Sequence, residues 1–143
     1  MTRPLVLIVD DDDDVRAYLA TLLSGRGYEV ACAASGEQAL TMLSSAAPPV
    51  VMLLDLLMPG MSGLELLSQA QRTHPWLAIV VLSTMGQIAT VVEAVKGGAS
   101  HYLTKPFQDQ ELELAIETAL EKQTLRDEIK VLQRRLGQYT DAG

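Results

Sequence analysis

Short apolar runs alternate with helix-length segments five times along this chain, and that alternation limits its possible folds more than any other feature. The runs are rich in Val, Leu and Ile, and they cover Leu5 to Val9, Glu29 to Ala33, Val50 to Leu54, Leu77 to Leu82 and His101 to Leu103. Five strand-then-helix units predict a parallel sheet, because each right-handed crossover returns the chain in the same direction. The strands are continuously apolar, which indicates that helices cover both faces. The predicted fold class is therefore α/β, a doubly wound five-stranded parallel sheet.

The segments between the runs carry apolar residues at spacings of three and four, as amphipathic helices do. Capping and helix-breaking residues bound these segments. The five predicted helices are one that carries Val15 and stops near Gly25, one from Ser35 to before Pro48, one from Gly63 to before Pro75, one from Ile88 to Lys96, and one from after Pro106 to Leu136. The last of these would be about 40 Å long, which is more than a small sheet requires.

Composition and charge exclude several classes of protein. The 143 residues include 18 acidic and 11 basic side chains, and the net charge of -7 predicts no direct binding of nucleic acid by this chain. No apolar stretch approaches the roughly 20 residues needed to span a bilayer, so we expect no membrane association and a cytoplasmic location. Cys32 is the only cysteine, which excludes a disulfide framework or a cysteine-based metal site within one chain.

Chemically reactive side chains follow four of the five predicted strands. Asp10 and Asp11 follow the first strand, Asp55 the third, Ser83 the fourth and Lys105 the fifth. In doubly wound sheets, ligands bind outside the carboxyl ends of the strands, close to the point where the strand order reverses. We therefore expect acids, a hydroxyl group and a cation to meet at one edge of the sheet.

Three carboxylates that converge at this edge would repel one another and raise at least one pKa, unless a cation lies among them. Carboxylate and carbonyl oxygens select a hard ion, and Mg²⁺ is the predicted cofactor. Lys105 adds a second positive charge that can hold a phosphate oxygen, and Ser83 adds a hydroxyl group. A carboxylate in this setting can attack phosphorus, which predicts an aspartyl phosphate at Asp55.

A set of motifs along the chain resembles the receiver domain of two-component response regulators. In order, they are Val9-Asp10-Asp11, Asp55-Leu56-Leu57-Met58-Pro59-Gly60-Met61-Ser62-Gly63, Leu82-Ser83, and Tyr102-Leu103-Thr104-Lys105-Pro106-Phe107. The resemblance covers roughly the first 120 residues, and it implies a flavodoxin-like fold with the strand order 2-1-3-4-5. The extended fifth helix, together with Gly86-Gln87-Ile88 and the segment from Glu93 to Ala99, resembles the nitrogen-regulation-type sigma-54 activators.

The resemblance implies a role for each matched residue of the site. Asp55 would accept a phosphoryl group from a histidine kinase or a phosphotransfer protein. Asp10, Asp11, Asp55 and the backbone carbonyl of Leu57 would hold Mg²⁺, and Lys105 would contact the phosphoryl group. The chain would act as a phosphoacceptor with self-catalysed phosphorylation and dephosphorylation, and not as an enzyme in any further sense.

Two further positions correspond to switch residues in the family. Ser83, or alternatively the adjacent Thr84, would move toward the phosphoryl group, and Tyr102 would then turn inward unless it is simply a core residue. The face made by the fourth helix, fifth strand and fifth helix would change and control an effector, with transcription as the expected output. Leu57 and Met85 flank the site with apolar side chains, which predicts slow self-dephosphorylation because attacking water is hindered.

Other functions remain open from the residues alone. One alternative is a stand-alone phosphorelay or protein-interaction switch. Another is a Mg²⁺-dependent phosphatase that uses Asp10 as nucleophile and Asp12 as the second acid, although the chain shows no cap insertion. A flavin-binding module is disfavoured because five consecutive aspartates, from Asp10 to Asp14, would repel a phosphate after the first strand.

The end of the chain carries an apolar stripe. Leu125, Ile129, Leu132 and Leu136 follow one another at spacings of four, three and four residues, which predicts a parallel coiled coil. We expect residues 1–121 to form the receiver domain and residues 122–143 a helical coiled-coil linker or tail. Two chains would form a homodimer through this helix and through the face of the fourth helix, fifth strand and fifth helix. The alternative is a frayed, solvated helix, since isolated helices of this length are marginal.

Overall fold

Strands and helices alternate strictly in the computed structural model, which describes residues 3–45, 47–58, 60–84 and 86–141. The strands are β1 (Leu5–Val9), β2 (Glu29–Ala33), β3 (Val51–Asp55), β4 (Ala78–Thr84) and β5 (His101–Lys105). The helices are α1 (Asp13–Gly25), α2 (Gly36–Leu43), α3 (Gly63–Thr73), α4 (Ile88–Lys96) and α5 (Asp109–Asp141). The predicted α/β class is confirmed.

All strand pairs of the sheet are parallel, and the strand order is β2-β1-β3-β4-β5. The predicted order is therefore confirmed as well. The chain moves outward from β1 to β2 and then returns past β1 to β3, so the order reverses between β1 and β3. In open α/β sheets this reversal separates the loops that follow the two strands and leaves a crevice between them.

Side chains from the two faces of the sheet form two separate cores. One core joins alternate strand residues to α2, α3 and α4, and its members on β1, β3 and β4 are Leu7, Val9, Met52, Leu54, Ile79 and Val81. The other joins the intervening residues to α1 and α5, and its members on the same three strands are Val6, Ile8, Val51, Leu53, Ala78, Val80 and Leu82. Each fully buried Leu, Ile or Val stabilises the fold by about 1.5–3 kcal/mol. The three central strands are thus apolar on both sides, as their sequences predict.

The strands run further into polar sequence than their apolar runs indicate. β3 includes Asp55, which is in register with Leu82, and β4 continues through Ser83 and Thr84, in register with Thr104 and Lys105. A ladder of hydrogen bonds joins backbone groups and does not require apolar side chains. Ser83 therefore lies within a strand, where the sequence had placed it just after one.

Polar side chains cap the first three helices, α1, α2 and α3. Asp12 accepts hydrogen bonds from the backbone N–H groups of the first turn of α1, Ser35 does so for α2, and Ser62 for α3. Such caps satisfy donors that have no partner inside the helix and contribute about 1 kcal/mol each. They fix the point at which each loop ends, and thereby position the loops at the carboxyl edge of the sheet.

Helix α5 extends well beyond the sheet. It ends at Asp141, five residues later than predicted, and is about 50 Å long. Among the residues of α5 whose side chains the structure describes, which end at residue 137, the last buried one is Gln123; it is 6% exposed and donates to the carbonyl of Pro75 at 2.9 Å. Lys122 donates to the carbonyl of Ser100 at 3.1 Å. From residue 124 to residue 137 every side chain is exposed.

Candidate functional site

Three carboxylates converge at the carboxyl edge of the sheet. Asp10 and Asp11 follow β1, and Asp55 ends the neighbouring β3, so the residues flank the crevice at which the strand order reverses. One oxygen from each side chain lies within 4.8 Å of the others. Asp10 and Asp55 are buried, whereas Asp11 is exposed. The structure therefore brings together the three acids that the sequence predicted as metal ligands.

Lys105 reaches this cluster from β5. Its Nζ donates to Oδ2 of Asp10 at 3.0 Å and lies 3.8 Å from Oδ2 of Asp55. The peptide bond between Lys105 and Pro106 is cis. One ammonium group thus bridges the two buried carboxylates, and it offsets only part of the charge of the three acids.

Burial dominates the electrostatics of Asp55. The pKa of its carboxyl group is raised from 3.8 to about 6, mainly by removal from water and to a smaller extent by the nearby charges of Asp10 and Asp11. A hydrogen bond from the Leu57 N–H and the charge of Lys105 act in the opposite direction. The charged form of Asp55 is therefore disfavoured until another cation joins the cluster.

A divalent metal ion fits these residues. The cluster offers only carboxylate oxygens, one of its acids faces solvent, and the two buried ones share a single lysine. Hard cations such as Mg²⁺ prefer oxygen ligands of this kind and retain several waters, for which the open side of the cluster leaves room. Asp10, Asp11 and Asp55 could hold such an ion.

The loop after β3 is tightly folded against Asp55. The Leu57 N–H donates to Oδ1 of Asp55 at 3.1 Å, so the backbone of Leu57 lies beside the carboxylate. Farther along, the Gly63 N–H donates to the Leu56 carbonyl at 3.3 Å. A Cβ atom at position 63 would lie 2.6 Å from the Cα of Leu56, closer than real contacts allow. Glycine at this position therefore lets the loop close.

Ser83 and Thr84 are neighbours in β4, and their side chains lie on opposite faces of the strand. The two hydroxyl groups therefore differ in their surroundings. Both residues contribute to the groove beside Tyr102, but Ser83 is buried, whereas Thr84 is exposed and donates through its hydroxyl group to Gln87. Ser83 follows Leu82, the register partner of Asp55. Ser83 is therefore the better candidate for the predicted switch residue, since the hydroxyl group of Thr84 is engaged with Gln87.

The groove beside Ser83 lies between α4 and β5 and has a volume of about 570 Å³. Tyr102 is 49% exposed at its wall, so it is not a core residue in this conformation. Much of the remaining wall is apolar and exposed, contributed by Ile88, Val92 and Val95. Tyr102 therefore has an adjoining space toward which its ring can turn.

The apolar stripe of the tail lies far along α5 from these groups. The helix is continuous through the stripe, and its four members are all exposed: Leu125, Ile129, Leu132 and Leu136. They belong to the portion of α5 that follows Gln123, which is the last buried residue among the described side chains of this helix. The structure does not bring them into the acidic site.

Sequence reasoning missed Arg16, which contacts the acidic loop. Its Nη1 donates to the main-chain carbonyl of Asp10 at 2.5 Å, and its Nη2 pairs with the carboxylate of Asp13. The spacing of three residues between Asp13 and Arg16 on a helix was a visible signal for the second contact. The first contact joins a side chain to the main chain and leaves no trace in the sequence. Met85, which was predicted to flank the site, lies outside the described residues.

Comparisons with known proteins agree with this geometry. The family model for the response regulator receiver domain matches residues 6–117. The chain is 36% identical over 131 residues to the regulatory protein AtoC of Escherichia coli strain K12, across 92% of this chain and 28% of that protein. It is 35% identical over 140 residues to the nitrogen assimilation regulatory protein NtrX of Azorhizobium caulinodans, across 96% of this chain and 31% of that protein.

A solved structure gives the same picture. NtrX from Brucella abortus superposes with a TM-score of 0.85 at 34% identity, across 92% of this chain and 30% of that one. The chain spans less than a third of the length of these three relatives. Among the described residues, no helix combines the length and the hydropathy that a membrane crossing requires.

Proposed function

The chain belongs to the family of response regulator receiver domains, and from this premise we propose that Asp55 accepts a phosphoryl group from a histidine kinase or a phosphotransfer protein. The observation that carries the proposal is the acidic cluster itself, in which Asp10, Asp11 and Asp55 converge beside Lys105. The predicted resemblance to receivers and to nitrogen-regulation-type regulators is confirmed by the family match and by NtrX.

In the proposed phosphoryl transfer, each group of the acidic site has one role. Mg²⁺, held by Asp10, Asp11, Asp55 and the Leu57 carbonyl, would supply positive charge to the transferring phosphoryl group. An oxygen of Asp55 forms the new bond to phosphorus as the bond from phosphorus to the donor's histidine nitrogen breaks, and that nitrogen keeps the electron pair. Lys105 holds a phosphoryl oxygen, and the Leu57 N–H fixes the other Asp55 oxygen. Positioning and charge neutralisation are the main requirements of such a transfer.

The proposed switch follows from the added charge at Asp55. Phosphorylation introduces strong acceptor oxygens, which attract the hydroxyl group of Ser83. Movement of Ser83 would open space in the groove, and Tyr102 would fill it. The exposed apolar wall contributed by α4 and β5 would then change shape, which is how the α4/β5/α5 face would control an effector.

We propose that the output is exerted through an effector and not by the receiver itself, which the greater length of the relatives supports. We propose control of transcription as the output, a cytoplasmic location, and no direct binding of nucleic acid by this chain. We propose residues 1–121 as the receiver and residues 122–143 as a coiled-coil linker that joins two chains in parallel. A stand-alone relay or interaction switch is the alternative if no effector follows.

The stripe of the tail has the pattern of a two-stranded coil. Ile129 and Leu136 occupy one core position of the heptad, and Leu125 and Leu132 occupy the other. Ile129 is β-branched at the first position, with Leu125 and Leu132 at the second, and this combination favours parallel dimers. The homodimer would combine this contact with the apolar face of α4, β5 and α5.

A phosphatase that uses Asp10 as nucleophile is less well supported. It would require Asp12 as a free second acid. Asp12 instead caps α1, because its Oδ1 accepts the N–H groups of Asp14 at 2.9 Å and of Val15 at 3.3 Å. Phosphorylation of Asp55 does not require a free carboxylate at Asp12.

Labelling by acetyl phosphate tests the proposal. We expect the intact mass of the protein to rise by one phosphoryl group when Mg²⁺ is present, and the rise to vanish with EDTA or in Asp55→Asn. Asp14→Asn is the matched control, since Asp14 is exposed and lies outside the cluster. Equal labelling of Asp55→Asn and the wild type would contradict the assignment of Asp55.

A further inference from the structure

Arg16 lies against the backbone of the loop that carries Asp10 and Asp11. It donates to the main-chain carbonyl of Asp10 and pairs with the carboxylate of Asp13. The Arg16 side chain is only 16% exposed, whereas that of Asp13 is 88% exposed. A guanidinium group that has lost this much water is retained in a fixed place by its hydrogen bonds, and its planar shape directs two of them at once.

One contact holds the backbone just before Asp11, and the other holds the side chain of Asp13 on the far side of the turn. The Asp10 carbonyl follows β1, and Asp13 is the first residue of α1, so one guanidinium group spans the turn between them. Inside the turn, the Asp12 N–H donates to Oδ1 of Asp10 at 3.0 Å. Asp11 is the exposed member of the acidic cluster, so the direction of its side chain depends on this backbone.

Arg16 and Lys105 contact Asp10 on different sides. Lys105 approaches a carboxylate oxygen, and Arg16 approaches the main-chain oxygen, so Arg16 leaves the oxygens of the cluster available. Its positive charge, taken alone, weakens the attraction of the cluster for a cation. A positioning role and a purely electrostatic role therefore predict opposite changes in metal affinity when the charge of Arg16 is removed.

We propose that Arg16 is a positioning residue for the divalent cation of the phosphorylation site, and that it holds the turn between β1 and α1 so that Asp11 faces Asp10 and Asp55. This inference rests on the proposed function and adds to it a residue that touches neither the metal ion nor the phosphoryl group. Lysine at position 16 keeps the charge but lacks the planar pair of donors, so it cannot hold both ends of the turn.

Mg²⁺ affinity, measured by calorimetric titration of the whole chain, tests the inference. Groups that orient metal ligands typically change metal affinity by about 10- to 100-fold when they are replaced. We expect Arg16→Lys to weaken Mg²⁺ binding about tenfold, and Arg16→Gln to weaken it as well, despite the lost positive charge. Arg26→Lys is the matched control, because Arg26 pairs with Glu113 at 3.0 Å, away from the cluster. We expect this variant to bind Mg²⁺ with the affinity of the wild type.

Unchanged or tighter Mg²⁺ binding in both Arg16 variants overturns the inference, and so does an equal loss in Arg26→Lys. Amide spectra of the metal-free variants provide the second readout. We expect shifts confined to the acidic turn and its surroundings, and general unfolding of Arg16→Lys would make Arg16 a structural residue instead. If the wild type itself neither binds Mg²⁺ nor accepts a phosphoryl group, the proposed function fails. If the wild type does both and the Arg16 variants bind equally well, only this inference fails.

Discussion

At the scale of single residues, Asp55 combines burial with a requirement for charge. It ends a strand whose other members are fully buried, and this burial raises the pKa of its carboxyl group to about 6. Lys105 and the Leu57 N–H favour the charged form but do not restore an ordinary pKa. In the absence of a metal ion, the folded protein thus carries a carboxylate that would be more stable in water. The same carboxylate is thereby prepared to bind a cation.

The first prediction concerns stability. A carboxyl group whose folded pKa is raised holds its proton more tightly in the folded state, so the folded protein loses stability as pH rises from about 4 to 6. A shift of this size corresponds to roughly 3 kcal/mol, and solvent screening at the strand ends reduces it to about 1–2 kcal/mol. Asp55→Asn removes the charge. We expect its free energy of unfolding at pH 7 to exceed that of the wild type by that reduced amount.

Urea unfolding in metal-free buffer checks this prediction. The difference between Asp55→Asn and the wild type should narrow as the pH falls from 7 toward 4, where the folded wild-type carboxyl group is protonated and the unfolded one is about half protonated. Asp14→Asn, at an exposed position, should show no comparable difference. A wild type that is more stable than Asp55→Asn at pH 7 without metal would contradict the account.

The second prediction concerns Leu57. Its side chain is 58% exposed beside Asp55, where it can hinder a water molecule that attacks the phosphoryl group. We expect Leu57→Asn to shorten the phosphoryl lifetime several-fold, because a polar side chain admits and orients water. Decay of the labelled protein measures the lifetime. Leu114→Asn, which changes an exposed leucine on α5, serves as the control, and equal lifetimes in wild type and Leu57→Asn would refute the hypothesis.

At the scale of elements, the two halves of α5 lie in different environments. Its first half packs against the sheet through Leu112, Ala115, Ile116 and Ala119, whereas residues 124–137 are exposed. Gln123 and Lys122 mark the transition, since they donate to carbonyls of the loops before β4 and β5. The exposed half places Leu125, Ile129 and Leu132 on one side. A second helix that covered this stripe would bury apolar side chains that the receiver body leaves in water.

The third prediction is that this half of α5 forms a dimer. We expect light scattering to show a dimer for the wild type, and Leu132→Glu to raise the dimer dissociation constant at least tenfold, because a charge would enter the core of the coil. Val131→Glu is the matched control, since Val131 is the neighbouring exposed residue outside the stripe. A wild type that stays monomeric at all concentrations, with and without phosphorylation, would contradict the prediction, as would equal effects of the two variants.

At the scale of the whole molecule, the sequence predicts the apolar framework well and the polar details less well. The alternation of apolar runs predicts the five strands and five helices, and the resemblance to receivers implies the strand order. The first prediction succeeds because burial on two faces leaves continuous apolar runs in the sequence, whereas the second depends on the resemblance alone. The extension of β4 through Ser83 and Thr84 could not be predicted in this way, since the ladder uses backbone groups.

Long-range polar contacts could not be predicted from the sequence either. Gln123 contacts a carbonyl 48 residues away, and Arg16 contacts a main-chain oxygen, so neither contact follows from periodicity or spacing. The acids of the site were predictable, because Asp10, Asp11 and Asp55 follow apolar strands directly and parallel strands bring their ends together. The reactive residues at the carboxyl edge of the sheet can thus be predicted from the residues that end the strands. The polar contacts that hold the surrounding loops can be seen only in the folded structure.

The most direct test of the central claim is to map the covalent bond. The protein would be phosphorylated with acetyl phosphate and Mg²⁺ and then reduced with borohydride, which converts an aspartyl phosphate to homoserine, before peptide sequencing by mass spectrometry. The account predicts homoserine at position 55, and only in the sample that received the phosphate donor. Homoserine at position 10 or 11, or its absence from a protein shown to carry the phosphoryl group, would contradict it.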